Sequence, residues 1–454
     1  MRNLQTWLYA LVFASSSVAF SSTSAPSSSS AFTPPPSSNS PISDAVFGDC
    51  EHYGLAQSAS EPQPGMHLLC VKHVGDGTVK VSMLKDGHEE HRFVHPHDTG
   101  DDWRLFDQME QLPGVGNSND RPVHKWKVFS VTGRRLWSVD RLAYEELSIV
   151  FTNGLWMWPG VRPGYQWHVD DDTILTTLSL RPLVFKAANF LTDHECSYII
   201  EQSAPHLVAS KTSKMDKDRD KPDTNWRTSS QFFLPSRGHD VVQEIDWRVA
   251  MLTKSTLQQQ EYVQVLRYQE GQKYDQHTDY FDARYYQNDP RTLENIKNGE
   301  KNRLITVLWY LSTIQDGGHT VFPRAFGNSP ANSSDCSGGL RVSPTKGEVI
   351  IFYSLTADGA IDPFSLHGAC PVGSGGVKWA ANKWIWTEST GFYEDEEDEV
   401  VEEEVEEDED EDEDEDGDEE DEDEGEGEKG REAGDRVDEK GDEWGTGRIH
   451  RDEL

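Results

Sequence analysis

The chain lacks any cluster of Lys and Arg residues dense enough to follow a nucleic acid backbone. Contacts to many phosphates require such a cluster, so nucleic acid is not expected as a partner. Cysteine is also scarce, because 5 residues in 454 are too few for a fold held together mainly by disulfides. Sequence repeats of solenoid length are missing as well. Hydrophobic residues make up 35% of the chain, which is enough for at least one ordinary globular core.

The apolar run nearest the N-terminus, Leu4 to Ala14, is too short to span a bilayer, so we expect no stable transmembrane segment there. It follows a short basic start and precedes small residues, which is the layout of a signal peptide over residues 1–20. Residues 21–45 are rich in Ser and Pro and predict a linker. The same Ser-rich, acid-free stretch after Ala19 and Phe20 would also suit a plastid presequence, which we treat as the alternative.

The net charge of −39 comes mostly from one segment, since 29 of the 35 positions in 394–428 are Asp or Glu. Residues 393–454 are therefore predicted to be a disordered acidic tail. The last five residues, His450 to Leu454, resemble a retention signal of the endoplasmic reticulum. Together with the signal peptide they predict residence in the endoplasmic reticulum lumen. The tail either only solvates the protein or binds calcium with low affinity.

The five cysteines are compatible with an oxidising compartment. Cys50 and Cys70 lie close together in the sequence and are candidates for a disulfide bond. Cys196, Cys336 and Cys370 leave one odd thiol, and the sequence does not assign its partner.

Residues 46–175 contain short apolar runs interrupted by Gly and Asp, which predicts a β-rich N-terminal domain of unknown role. We find no group of catalytic residues in it. Its tryptophans, including Trp156, Trp158 and Trp167, indicate either an aromatic core or a surface that binds peptides, and the core is the simpler interpretation.

Residues 182–392 predict a second domain, in which Thr192 and Glu195 form a capping box that starts a helix running to about Ser203. Helical spacing recurs at 239–257. The apolar period then changes to two at 262–268, 304–311 and 349–353, which is typical of strands. Helices followed by many short strands predict a mainly β fold with flanking helices, such as a sandwich or jelly roll.

His277 and Asp279 are two residues apart on a predicted strand, so their side chains project from the same face. His367 follows about ninety residues later at the end of another strand run. Two His and one carboxylate form the facial triad of non-haem iron(II) oxygenases, which leaves positions free for cosubstrates. The pattern His-x-Asp also occurs at His168, but a run of Asp in a predicted loop follows it, so we expect His168 to be a surface residue.

Several ordered motifs surround these residues, and with them the region from Pro182 to Thr387 resembles the prolyl 4-hydroxylase alpha-subunit-like family of iron(II)/2-oxoglutarate-dependent oxygenases. The resemblance implies a double-stranded β-helix (jelly roll) with iron between its sheets. It also implies the cosubstrates 2-oxoglutarate and O2, with L-ascorbate as a maintenance reductant. The motifs are Trp226 to Ser230, Gly317 to Pro323, Pro344 to Glu348, Ser365 to Val372, and the pairs Lys378-Trp379 and Lys383-Trp384.

The resemblance also assigns roles to single residues. It makes His277, Asp279 and His367 the iron ligands, and it makes Lys378 the partner of the distal carboxylate of 2-oxoglutarate. The other residues of the 2-oxoglutarate pocket would be Tyr268, Thr320 and Trp384. The residues that line the peptide groove would be Arg227, Ser229, Tyr274, Arg303 and Trp386.

The chain departs from the family pattern at three places. His319 stands where the family has Glu, and Trp386 stands where it has His. A glycine-rich stretch, residues 373–376, lengthens the spacing from His367 to Lys378 by one residue. Glycines can absorb such an insertion in a bulge or a wider turn.

The expected function is hydroxylation of peptidyl proline at C4 in polypeptides of the secretory pathway, with proline-rich or collagen-like substrates. Protein disulfide isomerase is a further candidate partner. Two alternatives stay open: a related oxygenase that acts on lysine or a small molecule, and a luminal calcium-buffering or chaperone-like protein with a degenerate oxygenase fold.

Overall fold

The computed structural model describes residues 63–74, 78–86, 89–96, 126–145, 147–170 and 172–393. The predicted signal peptide, the Ser/Pro linker and the acidic segment from residue 394 onward lie outside the described residues. None of the helices in the described ranges has the length and apolar character needed to cross a membrane.

The N-terminal part forms an antiparallel sheet of six strands in the order β3-β2-β1-β6-β4-β5. Alternate residues of β1 face two different cores: Leu69 and Val71 pack toward α1 (Val139–Glu145), whereas Leu68 and Cys70 face the rest of the protein. The strands are β1 (Met66–Val74), β2 (Thr78–Lys85), β3 (Glu89–Pro96), β4 (Lys127–Ser130), β5 (Arg135–Leu136) and β6 (Leu147–Phe151).

A larger antiparallel sheet has nine strands in the order β10-β11-β12-β19-β14-β17-β9-β8-β7. Its strands are β7 (Gln166–His168), β8 (Ile174–Leu180), β9 (Leu183–Ala187), β10 (Val208–Ala209), β11 (Ser230–Leu234), β12 (Val263–Tyr268), β14 (Arg303–Tyr310), β17 (Val349–Tyr353) and β19 (Lys378–Trp386).

A smaller sheet has four strands in the order β13-β18-β15-β16. They are β13 (Tyr274–His277), β15 (Thr320–Phe322), β16 (Leu340–Val342) and β18 (His367–Ala369). From β12 to β19 the chain passes back and forth between the large and the small sheet. Leu308 and Phe352 of the large sheet pack with Phe322 and Val342 of the small one, so an apolar core fills the space between the two sheets.

Two helices pack against the opposite face of the large sheet. The first, α2 (Asp193–Ser203), begins with the predicted capping box of Thr192 and Glu195. The second, α3 (Asp240–Thr253), buries Val242, Ile245 and Val249 in the same core as Val265 and Ile385 of the sheet. A short helix, α4 (Pro290–Asn295), lies between β13 and β14. The prediction of a mainly β fold with flanking helices is therefore confirmed.

The junction between the two predicted domains is more continuous than the sequence suggested. The predicted end of the N-terminal domain, residue 175, falls inside β8, and β7 and β8 extend the large sheet through β9. Trp156, Trp158 and Trp167 are buried in the core that the N-terminal sheet shares with the large sheet. The Trp158 indole donates a hydrogen bond to the Leu252 carbonyl of α3 over 2.7 Å. These tryptophans are core residues, because packing on the large sheet removes them from solvent.

The structure pairs Cys336 with Cys370, a pairing that the sequence left open. Cys196 is buried in α2 and is a free thiol. Cys70 is also disulfide-bonded, and its predicted partner Cys50 lies outside the described residues.

Candidate active site

Three side chains with metal-binding atoms meet between the two sheets. Two are histidines of the small sheet, and the third is Asp279, which lies in the bend after β13 and not on the strand as predicted. His277 ends β13 and His367 begins β18, and the strand register places them opposite each other. The Nε2 atom of His277 lies 3.7 Å from Oδ1 of Asp279, and Nε2 of His367 lies 3.6 Å from Oδ2 of the same carboxylate. The ligand atoms of all three lie within 4.8 Å of one another. The structure thus brings together the three residues that the sequence predicted as ligands.

Both histidine rings are oriented by backbone carbonyl groups. Nδ1 of His277 lies 2.8 Å from the Asp275 carbonyl oxygen, and Nδ1 of His367 lies 2.9 Å from that of Ser365. A ring that donates through Nδ1 keeps its Nε2 lone pair for a metal. Burial, followed by the neighbouring His367, lowers the pKa of His277 and so favours the neutral ring that a metal ligand requires.

The Asp279 carboxylate is held in place by two hydrogen bonds to the same oxygen. Thr306 Oγ1 donates to Oδ2 over 2.7 Å, and the Trp384 indole Nε1 donates over 2.9 Å. Burial on its own would raise the pKa of Asp279, but His367, His277 and Arg303 together lower it below the usual value. The carboxylate therefore stays ionised. The sequence predicted Trp384 only as a pocket wall and missed Thr306, whose sole signal was its place on a buried strand.

The donor set fits a divalent iron ion. Two imidazole nitrogens and one carboxylate oxygen from one side are the ligands of a 2-His-1-carboxylate site, and they leave the opposite side open. Within the described part of the chain, these three residues are the one group of His, Cys, Asp and Glu found in such an arrangement. His319, which replaces the Glu of the family motif, is half-buried and does not belong to the group.

Lys378 lies at the start of β19 with only 2% of its surface exposed. Its Nζ donates to the Gly318 carbonyl over 2.8 Å and lies near the rings of Tyr268 (5.4 Å) and Tyr310 (5.6 Å). Burial lowers the pKa of Lys378 to about 7. Among the described residues no carboxylate forms an ion pair with this amine, so the pocket offers a buried, unpaired amine that an anionic ligand would keep protonated.

Tyr310 adds a contact that sequence reasoning missed. Its hydroxyl donates to Thr320 Oγ1 over 2.9 Å, which leaves the Thr320 hydrogen available for a ligand. The glycine-rich insertion forms a turn before β19: Gly375 adopts a positive φ of 71°, and its N–H donates to Glu270 over 3.0 Å. The turn absorbs the extra residue, and Lys378 keeps a buried position on the inner face of β19.

Three of the predicted groove residues lie together beside His277. The Tyr274 ring stacks on the His277 ring with centroids 3.7 Å apart. The Arg227 guanidinium lies 4.5 Å from the centroid of the Tyr274 ring, and its Nε donates to Ser229 Oγ over 3.1 Å. Arg227 and Ser229 are both buried. The stack places Arg227 and Tyr274 next to a candidate metal ligand.

The other two, Arg303 and Trp386, converge on Glu261, a buried carboxylate that the sequence analysis missed. Arg303 donates to both oxygens of Glu261 over 2.6 and 2.9 Å, and the Trp386 indole donates to one of them over 2.5 Å. The Arg303 guanidinium also covers the Trp384 ring, 3.7 Å from its centroid. The signal for Glu261 was a single acidic residue directly before an apolar strand.

Comparisons with known proteins agree with this geometry. A family model described as the 2OG-Fe(II) oxygenase superfamily matches residues 263–386. The chain is 41% identical over 215 residues to probable prolyl 4-hydroxylase 10 of Arabidopsis thaliana, which covers 46% of this chain and 70% of the relative. It is 42% identical over 215 residues to prolyl 4-hydroxylase 5 of the same plant, with 46% and 69% covered.

A solved structure, the 2OG complex of a viral collagen prolyl hydroxylase from Paramecium Bursaria Chlorella virus-1, is 26% identical. The match covers 45% of this chain and 95% of that one, with a TM-score of 0.32.

The matched region and the triad define an iron(II)- and 2-oxoglutarate-dependent dioxygenase. Within that class the chain belongs to the prolyl 4-hydroxylase family. The resemblance drawn from the sequence motifs is confirmed.

Proposed function

We propose that this protein hydroxylates C4 of proline residues in polypeptides of the secretory pathway. One observation carries the proposal: a triad of His277, Asp279 and His367 shares the inner faces of the two sheets with the buried, uncompensated Lys378. The choice of proline is supported by relatives described as prolyl 4-hydroxylases.

Iron(II) and 2-oxoglutarate, when bound, supply the oxidative chemistry: 2-oxoglutarate becomes succinate and CO2, one oxygen atom of O2 enters succinate, and the other becomes the hydroxyl group on C4 of proline. His277, Asp279 and His367 would hold the metal through two imidazole nitrogens and one carboxylate oxygen. Lys378 and the hydroxyl hydrogen of Thr320 bind the distal carboxylate, and Tyr268 walls the same pocket beside the Lys378 amine. The side chains bind and orient, and no general base is required.

The eight strands from β12 to β19 support a double-stranded β-helix as the fold of this domain. The large sheet contains β12-β19-β14-β17 in adjacent positions, and the small sheet contains β13-β18-β15-β16. Each sheet thus receives strands from both halves of the segment. His277 at the end of β13 and His367 at the start of β18 therefore lie against the inner face of β14 and β19.

The peptide groove that we propose runs past Tyr274 and Arg227 on one side of the triad and past Arg303 and Trp386 on the other. Along β19, Trp384 and Trp386 flank Ile385, which faces the core beneath α3. Both tryptophans therefore face the opposite side of the sheet, the same side as Lys378. Trp386 lies nearly parallel to the Phe281 ring at 5.9 Å. A flat aromatic wall of this kind suits a pyrrolidine ring.

Residence in the endoplasmic reticulum lumen is part of the proposal and is supported by the signal-peptide-like start and by His450 to Leu454. Ascorbate as reductant and protein disulfide isomerase as partner are further parts of it. Removing only Arg451 to Leu454 should release the protein to later compartments or to the medium. Continued residence in the endoplasmic reticulum after that truncation would show that these residues are not the retention signal.

A second activity, low-affinity calcium binding, is supported by the 29 acidic residues in 394–428. It is compatible with catalysis. Deleting residues 394–446 should lower calcium capacity and leave hydroxylation unchanged, whereas equal calcium capacity in both proteins would show that the tail only solvates.

The substrate class is tested by giving the purified enzyme iron(II), 2-oxoglutarate and one of three substrates: a proline-rich peptide, the same peptide with lysine at the proline positions, or free proline. We expect succinate and a gain of oxygen with the first alone. Turnover with the lysine peptide or free proline at a similar rate would favour a related oxygenase of different specificity.

A further inference from the structure

We propose that the loop of residues 328–339, called the clamp loop below, positions His277, and that its Cys336–Cys370 disulfide makes metal affinity depend on redox state. The proposal rests on the iron site of the proposed function. Three features of the structure support it: the edge strand that carries His277, the contacts of the clamp loop with that strand, and the disulfide that links the loop to the strand of His367.

β13 is weakly held by its own sheet. It is an edge strand of four residues, and its pairing with β18 is irregular between Tyr274 and His277. The segment around Trp226 covers the start of its free edge, where the Asp275 N–H donates to the Trp226 carbonyl over 2.8 Å. Between Tyr274 and His277 the irregular pairing with β18 leaves few ladder bonds, so contacts from outside the sheet contribute to holding His277.

The clamp loop supplies such contacts. The backbone N–H of Gln276, directly before His277, donates to the Ser333 carbonyl over 2.8 Å. The Gln276 side-chain amide donates to the Asp335 carbonyl over 2.7 Å. The loop therefore supplies an acceptor on the β18 side of β13, directly before His277, where the pairing of the two strands is irregular.

Asp275 joins the clamp loop to the imidazole itself. Its carboxylate accepts hydrogen bonds from Ser334 Oγ over 2.7 Å and from Lys273 Nζ over 2.5 Å. Its backbone carbonyl accepts from Nδ1 of His277 over 2.8 Å. A displacement of the clamp loop would thus release the residue that fixes the tautomer and direction of the ring.

The disulfide is the covalent hold on this arrangement. Cys336 lies in the clamp loop, and Cys370 directly follows β18, which begins with His367. The bond spans 34 residues of sequence and joins the loop on one ligand strand to the end of the other. Other bonds of Asp335 are local, to the N–H groups of Ala331 and Ser337, so they shape the loop without attaching it to the sheet.

Reduction opens this link. A phosphine reductant converts the disulfide to two thiols, while water supplies two hydrogens and its oxygen forms the phosphine oxide. We expect the freed loop to lose its hydrogen bonds to Gln276 in part of the molecules. His277 is then less well oriented, and the affinity for the metal falls. Iron would then be retained best in an oxidising compartment.

The experiment measures the high-affinity phase of cobalt(II) binding to the full chain by calorimetry, separate from the weak binding expected of the acidic tail. Cobalt(II) is used because it does not reduce disulfides and suits the same ligands. Cys336→Ser should raise the cobalt Kd by up to about 10-fold, the lower end of the effect of losing an outer partner of a metal ligand, because the disulfide acts on His277 only through the loop and Asp275. Cys70→Ser, which removes the disulfide of the N-terminal sheet, is the matched control and should leave the Kd unchanged.

Two further experiments distinguish an effect on the position of His277 from a loss of overall stability. Ser334→Ala keeps the disulfide but removes a donor to Asp275, and it should raise the Kd a few-fold without lowering the unfolding midpoint of the metal-free protein. In the Cys70→Ser background, phosphine treatment should raise the Kd and reoxidation should restore it, which covers the case in which Cys336→Ser does not fold.

An unchanged Kd after reduction, or in folded Cys336→Ser, would overturn the inference. Failure of the unmodified protein to bind cobalt would instead refute the iron site and hence the proposed function.

Discussion

The indole of Trp384 donates a hydrogen bond from Nε1 to Oδ2 of Asp279 over 2.9 Å. The guanidinium of Arg303 covers a face of the same indole, 3.7 Å from the ring centroid. Trp384 thus orients Asp279, and Arg303 in turn holds the Trp384 ring in place. The groove that we propose for the peptide and the metal site consequently share Trp384 as a common wall.

We expect Trp384→Phe to weaken metal binding, because it keeps the aromatic wall but removes the donor to Asp279. Loss of an outer partner of a metal ligand lowers affinity by about 10- to 100-fold. Cobalt titration of the variant measures this. Trp379→Phe, on the opposite face of β19, is the control and should bind as the unmodified protein does. Equal affinities in both variants would show that Thr306 alone orients the carboxylate.

Lys378→Ala should raise the KM for 2-oxoglutarate far more than tenfold. A lost charge pair in a desolvated site costs about 2–5 kcal/mol, and roughly 1.4 kcal/mol corresponds to a factor of ten. Steady-state kinetics with varied 2-oxoglutarate measures the change, and Lys72→Ala in the N-terminal sheet is the control. An unchanged KM in Lys378→Ala would mean that the glycine-rich insertion has placed another cation in the pocket.

The affinity for 2-oxoglutarate should fall with rising pH. Burial lowers the pKa of Lys378 to about 7 in the free protein, so the amine is protonated below that value and neutral above it. The dianion binds the protonated form. Binding is therefore strongest below about pH 7, and above it the Kd should increase by up to tenfold per pH unit as a proton must be taken up with the ligand.

Calorimetry at several pH values, with buffers of different ionisation enthalpy, gives both the Kd and the proton uptake. Lys378→Arg, whose guanidinium stays protonated, should remove the slope. A flat Kd together with zero proton uptake in the unmodified protein would contradict the account of this pocket.

Trp386 should make extended, proline-rich peptides better substrates than peptides with isolated prolines. Its Nε1 donates to Glu261, its ring is nearly parallel to that of Phe281, and 7% of its surface is exposed. The two rings form an aromatic wall, and polyproline-II chains present their rings to such a wall in a fixed order. Stacking of about 0.5–1.5 kcal/mol predicts a preference of roughly 2- to 10-fold.

The comparison uses poly-Pro, Pro-Pro-Gly repeats and single-proline peptides with the unmodified protein, Trp386→His and Trp379→His. Trp386→His should reduce the preference, and Trp379→His should retain it. The same relative rates on all peptides in every protein would show that Trp386 does not line the groove.

The sequence predicted those parts of the fold that depend on local pattern. The capping box of Thr192 and Glu195 was readable because it needs residues only three positions apart. The strands β12, β14 and β17 were readable from their runs of β-branched and aromatic residues, although nearly all of these residues are buried and not every second one, as a period of two would require. The strands of the small sheet, such as β15 and β18, have three residues each, which is too short for any period to be seen, and only the family motifs indicated them.

The outer partners of the site could not be predicted, because each depends on contacts between distant segments. Glu261 meets Arg303 and Trp386 only after β12, β14 and β19 pair. Tyr310 reaches Thr320 across the core between the sheets. The Cys336–Cys370 pairing likewise requires the clamp loop to reach the end of β18.

The most direct test of the central claim is the stoichiometry of the reaction in the triad variants. The purified enzyme is incubated with iron(II), 2-oxoglutarate, O2 and a Pro-Pro-Gly peptide, and succinate and 4-hydroxyproline are both quantified. We predict equimolar products from the unmodified protein and from His168→Ala, whose side chain is exposed on β7. We predict neither product from His277→Ala, Asp279→Ala or His367→Ala. Succinate without 4-hydroxyproline, or comparable activity in all four variants, would contradict the account.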